Sequence, residues 1–271
     1  MAIYVDDLLC CCKEEDGLKW LAQALIRDEY TDIQVNEGSL HSYLGQTFDF
    51  NQPGKVRITM EGYVQDLLTL YEVDHYAATP ALSNLFTVKS DSPKLDQAAS
   101  DEFHSRVAKL LYLAKRVRPD ILTAVIFHST RVKCATREDH YKLDRALGYL
   151  HSTYDTGLIL EAHKSLQIIS YVDVSIAVHA DMRSHSGCII TLGKGAIWSK
   201  SARQKLNTKK SSTEAEFVEA SDLCSQVLRT REFTRWDPRC FIKTIYPPSS
   251  LLRTEPHLRR GLAISPFAFS G

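Results

Sequence analysis

The stretch that decides the fold is Tyr4-Val5-Asp6-Asp7-Leu8-Leu9, in which two adjacent carboxylates separate two short apolar runs. Such runs around a two-residue acidic turn predict a β-hairpin with Asp6 and Asp7 at its tip. Carboxylates on a rigid support suit Mg²⁺, which needs only one or two of them in addition to phosphates and water. Asp is also a favoured turn residue, so the spacing alone favours an ordinary polar turn over a metal site.

Composition limits the classes of protein that the chain can belong to. It has 271 residues, of which 44% are hydrophobic and 24% charged, enough for one large folded domain or two ordinary ones. Basic and acidic residues number 33 each, so only a local basic patch could make this a nucleic-acid binder. No apolar stretch could span a bilayer, and the N-terminus lacks the features of a secretory signal. We therefore expect an intracellular protein, in cytoplasm or nucleus, without a membrane partner.

Periodicity predicts alternating helices and strands along most of the chain. Helices are predicted at 17–29, 61–71, 100–118, 120–131, 137–153 and 212–231. Strands are predicted at 32–35, 42–50, 56–60, 158–161, 166–172, 187–192 and 196–200. Residues 79–97 are rich in Ser, Asp, Pro and Lys without periodicity, which indicates a linker. Beyond Trp236 the periodicity ends.

A second set of carboxylates lies in the later half of the chain. Asp173 ends the strand-like run Ser170-Tyr171-Val172-Asp173, which places it where a sheet meets solvent. Further on, Glu214 and Glu216 stand at a predicted helix start, Ser211-Ser212-Thr213-Glu214-Ala215-Glu216. The spacing matches a capping box twice, and acidic residues in a first turn suit the helix dipole. Spacing alone therefore favours these glutamates as caps.

A run of basic residues without an intervening acid lies between Asp173 and this helix start. Its members are Lys194, Lys200, Arg203, Lys205, Lys209 and Lys210. Such a run can neutralise phosphates and would make binding salt-dependent. Lysines on a solvated strand edge also discourage aggregation. The sequence leaves both interpretations open.

The first half of the chain resembles the reverse transcriptase of copia-type retrotransposon Pol polyproteins. Tyr4-Val5-Asp6-Asp7-Leu8-Leu9 looks like the family's polymerase motif. Segments similar to the family follow in the same order at Ser42–Gln46, Gly62–Leu68, Ala78–Pro80, Leu110–Leu113 and Arg116–Ile121. The resemblance implies that Asp6 and Asp7 are metal-binding carboxylates of a polymerase. It also implies an earlier palm strand with another Asp, which this sequence lacks, so we expect no polymerase activity.

The second half resembles the RNase H domain of the same family. The similar segments are Tyr171–Asp173, Arg183–Gly187, Ile197–Ser201 and Ser211–Phe217. The resemblance implies that Asp173 and Glu216 bind two Mg²⁺ ions that act on an RNA–DNA hybrid, and that Glu214 is the cap. A third Asp is expected near Ile245-Tyr246, where the sequence continues Pro247-Pro248 instead. A frameshift near this point would explain the change in composition.

Together these observations predict an α/β (α+β) chain, a fragment of a longer polyprotein. Its expected parts are the C-terminal part of a palm at 1–75, a linker and connecting helices at 76–156, an incomplete RNase H-like mixed sheet with a helix at 157–236, and a degenerate tail at 237–271. Three hypotheses about activity stay open: a hybrid-cleaving enzyme, a catalytically inactive remnant that binds nucleic acid, and a remnant without a cellular role. No small-molecule substrate other than nucleotides is implied.

Overall fold

The computed structural model describes residues 2–4, 7–10, 15–27, 38–164, 167–205, 212–234 and 242–245. The chain begins with the predicted hairpin, formed by β1 (Ala2–Tyr4) and β2 (Asp7–Leu9). Tyr4 pairs with Asp7, so Asp7 opens the second strand and does not lie in the turn as predicted. Helix α1 (Glu15–Arg27) follows, and the strand predicted at 32–35 lies outside the described residues.

A five-stranded antiparallel sheet organises the first half. Its strands are β3 (Leu40–Tyr43), β4 (Gln46–Asp49), β5 (Lys55–Thr59), β6 (Leu158–Ala162) and β9 (Gly193–Lys194), in the order β3-β4-β5-β6-β9. The run predicted as one strand at 42–50 is divided between two strands, because Leu44 and Gly45 both take positive φ values, 52° and 72°. A turn with two positive φ values matches the twist of antiparallel strands and reverses the chain within two residues.

Helices cover this sheet and enclose the main core. They are α2 (Glu61–Leu70), α3 (Gln97–Arg116), α4 (Leu122–Ser129) and α5 (Arg137–Ser152), with a 3₁₀ turn at Pro119–Ile121 before α4. Phe103, Leu110, Leu143 and Leu147 are fully buried together in this core. Thr136 caps α5 in a complete capping box with Asp139, at the start of the helix predicted at 137–153.

The segment predicted as a linker is an ordered loop. Leu85 is buried against α4, and Lys142 Nζ of α5 donates to the carbonyl oxygens of Asn84 and Thr87 at 3.0 and 2.6 Å. Lys94 forms a β-bridge with Thr136. The composition is that of a linker, but these long-range contacts hold the backbone in place.

A second, four-stranded mixed sheet carries the later half. Its strands are β7 (Ile168–Ser175), β8 (His185–Thr191), β10 (Trp198–Arg203) and β11 (Ile242–Ile245), in the order β10-β8-β7-β11. The first three are antiparallel neighbours, and β11 joins β7 in parallel. Helix α6 (Ser212–Thr234) packs on one face, where Leu223 and Val227 meet Ile168, Val172 and Ile190.

The strand pairing crosses two of the predicted segment boundaries. β6 follows the expected boundary at 157, yet it pairs with β5 of the first sheet, and its partner β9 also comes from the later half. The segment 237–271, predicted to be a degenerate tail, contributes β11 to the second sheet. Among the described residues, no helix is long and apolar enough to cross a membrane.

Candidate functional site

The acidic hairpin is only partly described. Asp7 is the first residue of β2 and pairs with Tyr4, while Asp6 lies outside the described residues. The strand pairing agrees with a carboxylate near a hairpin tip. The roles of Asp6 and Asp7 as metal ligands stay predictions.

Asp173 lies on β7, one of the two inner strands of the second sheet. Side chains of β7 alternate, so that Ser170 and Val172 are buried on the α6 side whereas Tyr171 and Asp173 are exposed. Asp173 is paired with Gly187 of β8, which has no side chain. A Cβ placed on Gly187 would meet only the Asp173 carbonyl oxygen, at 4.0 Å. Space is therefore open beside Asp173 on the outer face of the sheet.

The two glutamates of the predicted helix start differ in their surroundings. Glu214 is exposed in the first turn of α6, where an acidic side chain suits the helix dipole. Glu216 is half-buried two residues further on, next to the fully buried Ala215. Gln204 Nε2 donates to the Ala215 carbonyl oxygen at 2.9 Å and thereby ties this turn to the segment that follows β10.

The carboxylates of Asp173 and Glu216 are hard oxygen donors, which is the chemistry that Mg²⁺ prefers. Within the described part of the chain, no group of three or more His, Cys, Asp or Glu side chains is arranged to hold a metal ion. Two carboxylates completed by substrate phosphates and water remain sufficient for Mg²⁺. Asp173 faces outward from the sheet, whereas Glu216 lies on the helix that packs on the opposite face. Binding of Mg²⁺ by these two carboxylates together stays a prediction.

Lys200, predicted to contact phosphates, is engaged inside the protein. Its Nζ lies 2.8 Å from Glu219 Oε1 and 3.3 Å from Asp222 Oδ2, both on α6. Burial opposes the charge of Lys200, yet its hydrogen bond and attraction to Glu219 raise the pKa of the ammonium above its ordinary value. The sequence could not reveal this pairing, because the partners are 19 and 22 residues away.

The remaining basic residues differ in accessibility. Arg203 is exposed and its Nη1 lies 3.4 Å from Asp181 Oδ2. Lys205 is exposed, whereas Lys209 and Lys210 lie outside the described residues. Nucleic-acid binding by these four stays a prediction.

A chain of polar side chains joins the second sheet to α4, and sequence reasoning did not find it. His179, His185 and Ser201 are buried, whereas Thr123 of α4 is exposed. His179 Nε2 lies 3.0 Å from His185 Nδ1, and His185 Nε2 lies 2.6 Å from Ser201 Oγ. Ser201 Oγ in turn donates to Thr123 Oγ1 of α4 at 3.2 Å. No local signal could have identified Thr123, which is 78 residues from Ser201.

With this geometry established, similarity to solved structures defines the class of fold. A foamy viral protease-reverse transcriptase, dRH, solved in complex with double-stranded DNA, matches the chain with a TM-score of 0.50 and 13% identity. The match covers 92% of this chain and 46% of that one. The chain thus has a mixed α+β fold similar to that of this protein, and the predicted fold class is confirmed.

Sequence similarity then identifies the relatives. No protein-family model matches the chain. The Pol polyprotein of transposon RE2 from Arabidopsis thaliana is 31% identical over 235 residues, which are 84% of this chain and 15% of that protein. A transposon Ty5-1 protein of Saccharomyces cerevisiae is 25% identical over 231 residues, 84% of this chain and 73% of that protein.

The Pol polyprotein of transposon TNT 1-94 from Nicotiana tabacum is 27% identical over 243 residues, 86% of this chain and 18% of that protein. The chain therefore spans less than a fifth of the two plant polyproteins cited here. Its curated homologues are retrotransposon Pol polyproteins over most of its length, and the predicted relationship is confirmed.

Proposed function

We propose that the second sheet and α6 form an RNase H-like unit of a copia-type element, which hydrolyses the RNA strand of an RNA–DNA hybrid. The observation that carries the proposal is the strand order β10-β8-β7-β11 with α6 packed on one face. A mixed sheet with one helix on it is the incomplete RNase H-like arrangement that the family resemblance implies. Asp173 stands on the inner strand β7 and Glu216 near the start of α6, in the elements to which the resemblance assigns them.

Asp173 and Glu216 would hold Mg²⁺ through their carboxylate oxygens. A bound divalent ion supplies charge stabilisation at phosphate and a more acidic water molecule. The open space beside Gly187 gives Asp173 access to a large substrate. Glu214, exposed in the first turn, serves α6 as a capping residue and makes no contribution to chemistry.

Arg203, Lys205, Lys209 and Lys210 would contact the phosphates of the hybrid. Recognition of such a duplex relies on shape, phosphates and 2′-hydroxyl groups, which suits side chains without base specificity. Lys200 is left out of this set because Glu219 and Asp222 neutralise it. The similarity in fold to a reverse transcriptase solved with double-stranded DNA supports nucleic acid as the partner.

Cleavage of a labelled RNA–DNA hybrid with Mg²⁺ tests this function. We expect Asp173→Asn and Glu216→Gln each to reduce the rate by at least about 100-fold, because each removes a carboxylate ligand. Glu214→Gln is the matched control on the same helix and should retain the rate. Failure of the unmutated chain to cleave the hybrid, or equal loss in Glu214→Gln, would overturn the proposal.

A second candidate function is hybrid binding without cleavage. It is favoured by the lack, within the described ranges, of a group of three metal-ligating side chains. Binding that weakens steeply with salt, with no cleavage in Mg²⁺, would identify this function.

A further inference from the structure

Glu219 is a buried carboxylate on α6 with two partners on two different strands. It is 2% exposed, one helical turn after Glu216. Cys188 Sγ of β8 donates to its Oε1 at 2.8 Å, and Lys200 Nζ of β10 donates to the same atom at 2.8 Å. A buried carboxylate is strongly unfavourable unless it is paired and hydrogen-bonded, and here both conditions are met.

Strand register places these partners in a single row under α6. Val172 pairs with Cys188, and Cys188 pairs with Lys200. All three side chains lie on the α6 side of the sheet, and Val172 directly precedes Asp173. Glu219 therefore fixes the distance between α6 and the row of the sheet that adjoins Asp173.

The two halves of α6 are attached to the sheet by different forces. The C-terminal half is anchored by Leu223 and Val227 in an apolar cluster. The N-terminal half is anchored by polar contacts, from Gln204 to the Ala215 carbonyl oxygen and from Glu219 to Lys200 and Cys188. Polar contacts depend on geometry, so they set the position of the helix start more narrowly than apolar packing does.

We propose that Glu219 is a positioning residue that holds Glu216 in place for the candidate nuclease site. Residues three apart on a helix share one side, so an anchor at 219 restrains the backbone that carries 216. The inference rests on the proposed function, because it assumes that Glu216 binds the metal ion.

Hydrogen exchange measures the anchor directly, without reference to activity. In Glu219→Gln, the amides of residues 214–218 should exchange at least about tenfold faster, because the loss of the negative charge weakens the hydrogen bond from the Lys200 ammonium. Amides of residues 224–230 should be unchanged. Val227→Ala is the matched control, since it weakens the apolar packing at the other end of the same helix. In this variant the amides of residues 224–230 should exchange faster and those of residues 214–218 should be unchanged.

Hybrid cleavage measured against Mg²⁺ concentration then connects the anchor to the site. Glu219→Gln should raise the half-saturating Mg²⁺ concentration by about tenfold, as expected for loss of a supporting contact, and leave the rate at saturating Mg²⁺ close to that of the unmutated chain. Val227→Ala should not change the Mg²⁺ dependence. If Glu219→Gln does not fold, the double variant Glu219→Gln/Lys200→Gln takes its place in both measurements. It removes the ammonium together with the carboxylate, so that no unpaired charge is buried.

The outcomes separate the two proposals. Unchanged exchange at residues 214–218, or unchanged Mg²⁺ dependence in a cleaving protein, overturns the role of Glu219. An unmutated chain that does not cleave overturns the proposed function, while faster exchange in the variant would still establish the anchor.

Discussion

Replacement of the buried Arg118 is the sharpest test of how the connecting helices are held together. Arg118 is 1% exposed and follows α3. Its Nε and Nη2 donate to Asp120 at 3.0 and 2.8 Å, and its Nη1 and Nη2 donate to the carbonyl and hydroxyl oxygens of Thr153 at 2.8 and 2.7 Å. Tyr149 Oη completes the network by donating to Asp120 at 2.9 Å. We expect Arg118→Met to lower the free energy of unfolding by more than the substitution of a residue in an exposed ion pair does.

The magnitude follows from which groups lose their partners. Removing one member of a buried ion pair costs about 3–5 kcal/mol of unfolding free energy. The side chain of Asp120 is 34% exposed, so its carboxylate can be hydrated once Arg118 is gone. We therefore expect a loss of unfolding free energy at the lower end of this range, about 3 kcal/mol. At about 2–4 °C per kcal/mol for a chain of this size, the midpoint of thermal unfolding should fall by about 6–12 °C.

Urea unfolding followed by circular dichroism measures this loss, and Lys55→Met is the control. Lys55 forms an exposed ion pair with Glu161 at 3.4 Å, with 37% and 42% of the side chains exposed. Exposed pairs contribute about 0–1 kcal/mol. A loss below about 1 kcal/mol in Arg118→Met, or equal losses in the two variants, would refute the reasoning.

Two further predictions concern the loss of stability at low pH and the substitution of Gly195. Burial lowers the pKa of His128 to about 4, and burial with the neighbouring His179 lowers the pKa of His185 to about 4. Both imidazoles take up a proton more readily in the unfolded chain, where their pKa is about 6.5. The free energy of unfolding should therefore be constant above a pH of about 6.5 and fall as the pH drops towards 4. By pH 5 each histidine should have lowered it by about 2 kcal/mol. Gly195→Ala should destabilise the chain by about 1–3 kcal/mol, because φ is +79° and a Cβ would collide with the Ile159 carbonyl oxygen.

Each of these predictions has its own control. His128→Leu should remove part of the acid sensitivity between pH 6.5 and 4, and an unchanged pH profile would contradict the assignment. Gly62 lies in α2 with nothing within 4 Å of an added Cβ. Gly62→Ala should therefore raise stability by about 0.5–1 kcal/mol, and a loss there like that of Gly195→Ala would contradict the steric argument.

Local features of the fold could be predicted because their causes lie within a few residues. The capping box of Thr136 and Asp139 lies at the start of α5, and Gly54, with a φ of 76°, lies in the turn before β5. The division of the predicted strand at 42–50 was missed, because the two-residue turn at Leu44-Gly45 stands within an otherwise β-rich run.

The candidate site was predicted less completely than the helices. The sequence could place Asp173 on a strand and Glu216 near a helix start, since both assignments depend on short patterns. It could not predict that Lys200 would be neutralised by Glu219, or that Cys188 would share that carboxylate. Those contacts depend on which strands are neighbours and on the rotation of α6 above them.

The sequence by itself therefore determined that the chain begins with a hairpin, where the helices lie, the order of the segments and the relationship to Pol polyproteins. Only the tertiary structure decided that β6 joins the first sheet, that β11 lies parallel to β7, and that Arg118 is buried. The physical reason is sequence separation. Helices and hairpins are stabilised by near neighbours, whereas strand partners and buried ion pairs are selected by packing between residues far apart along the chain.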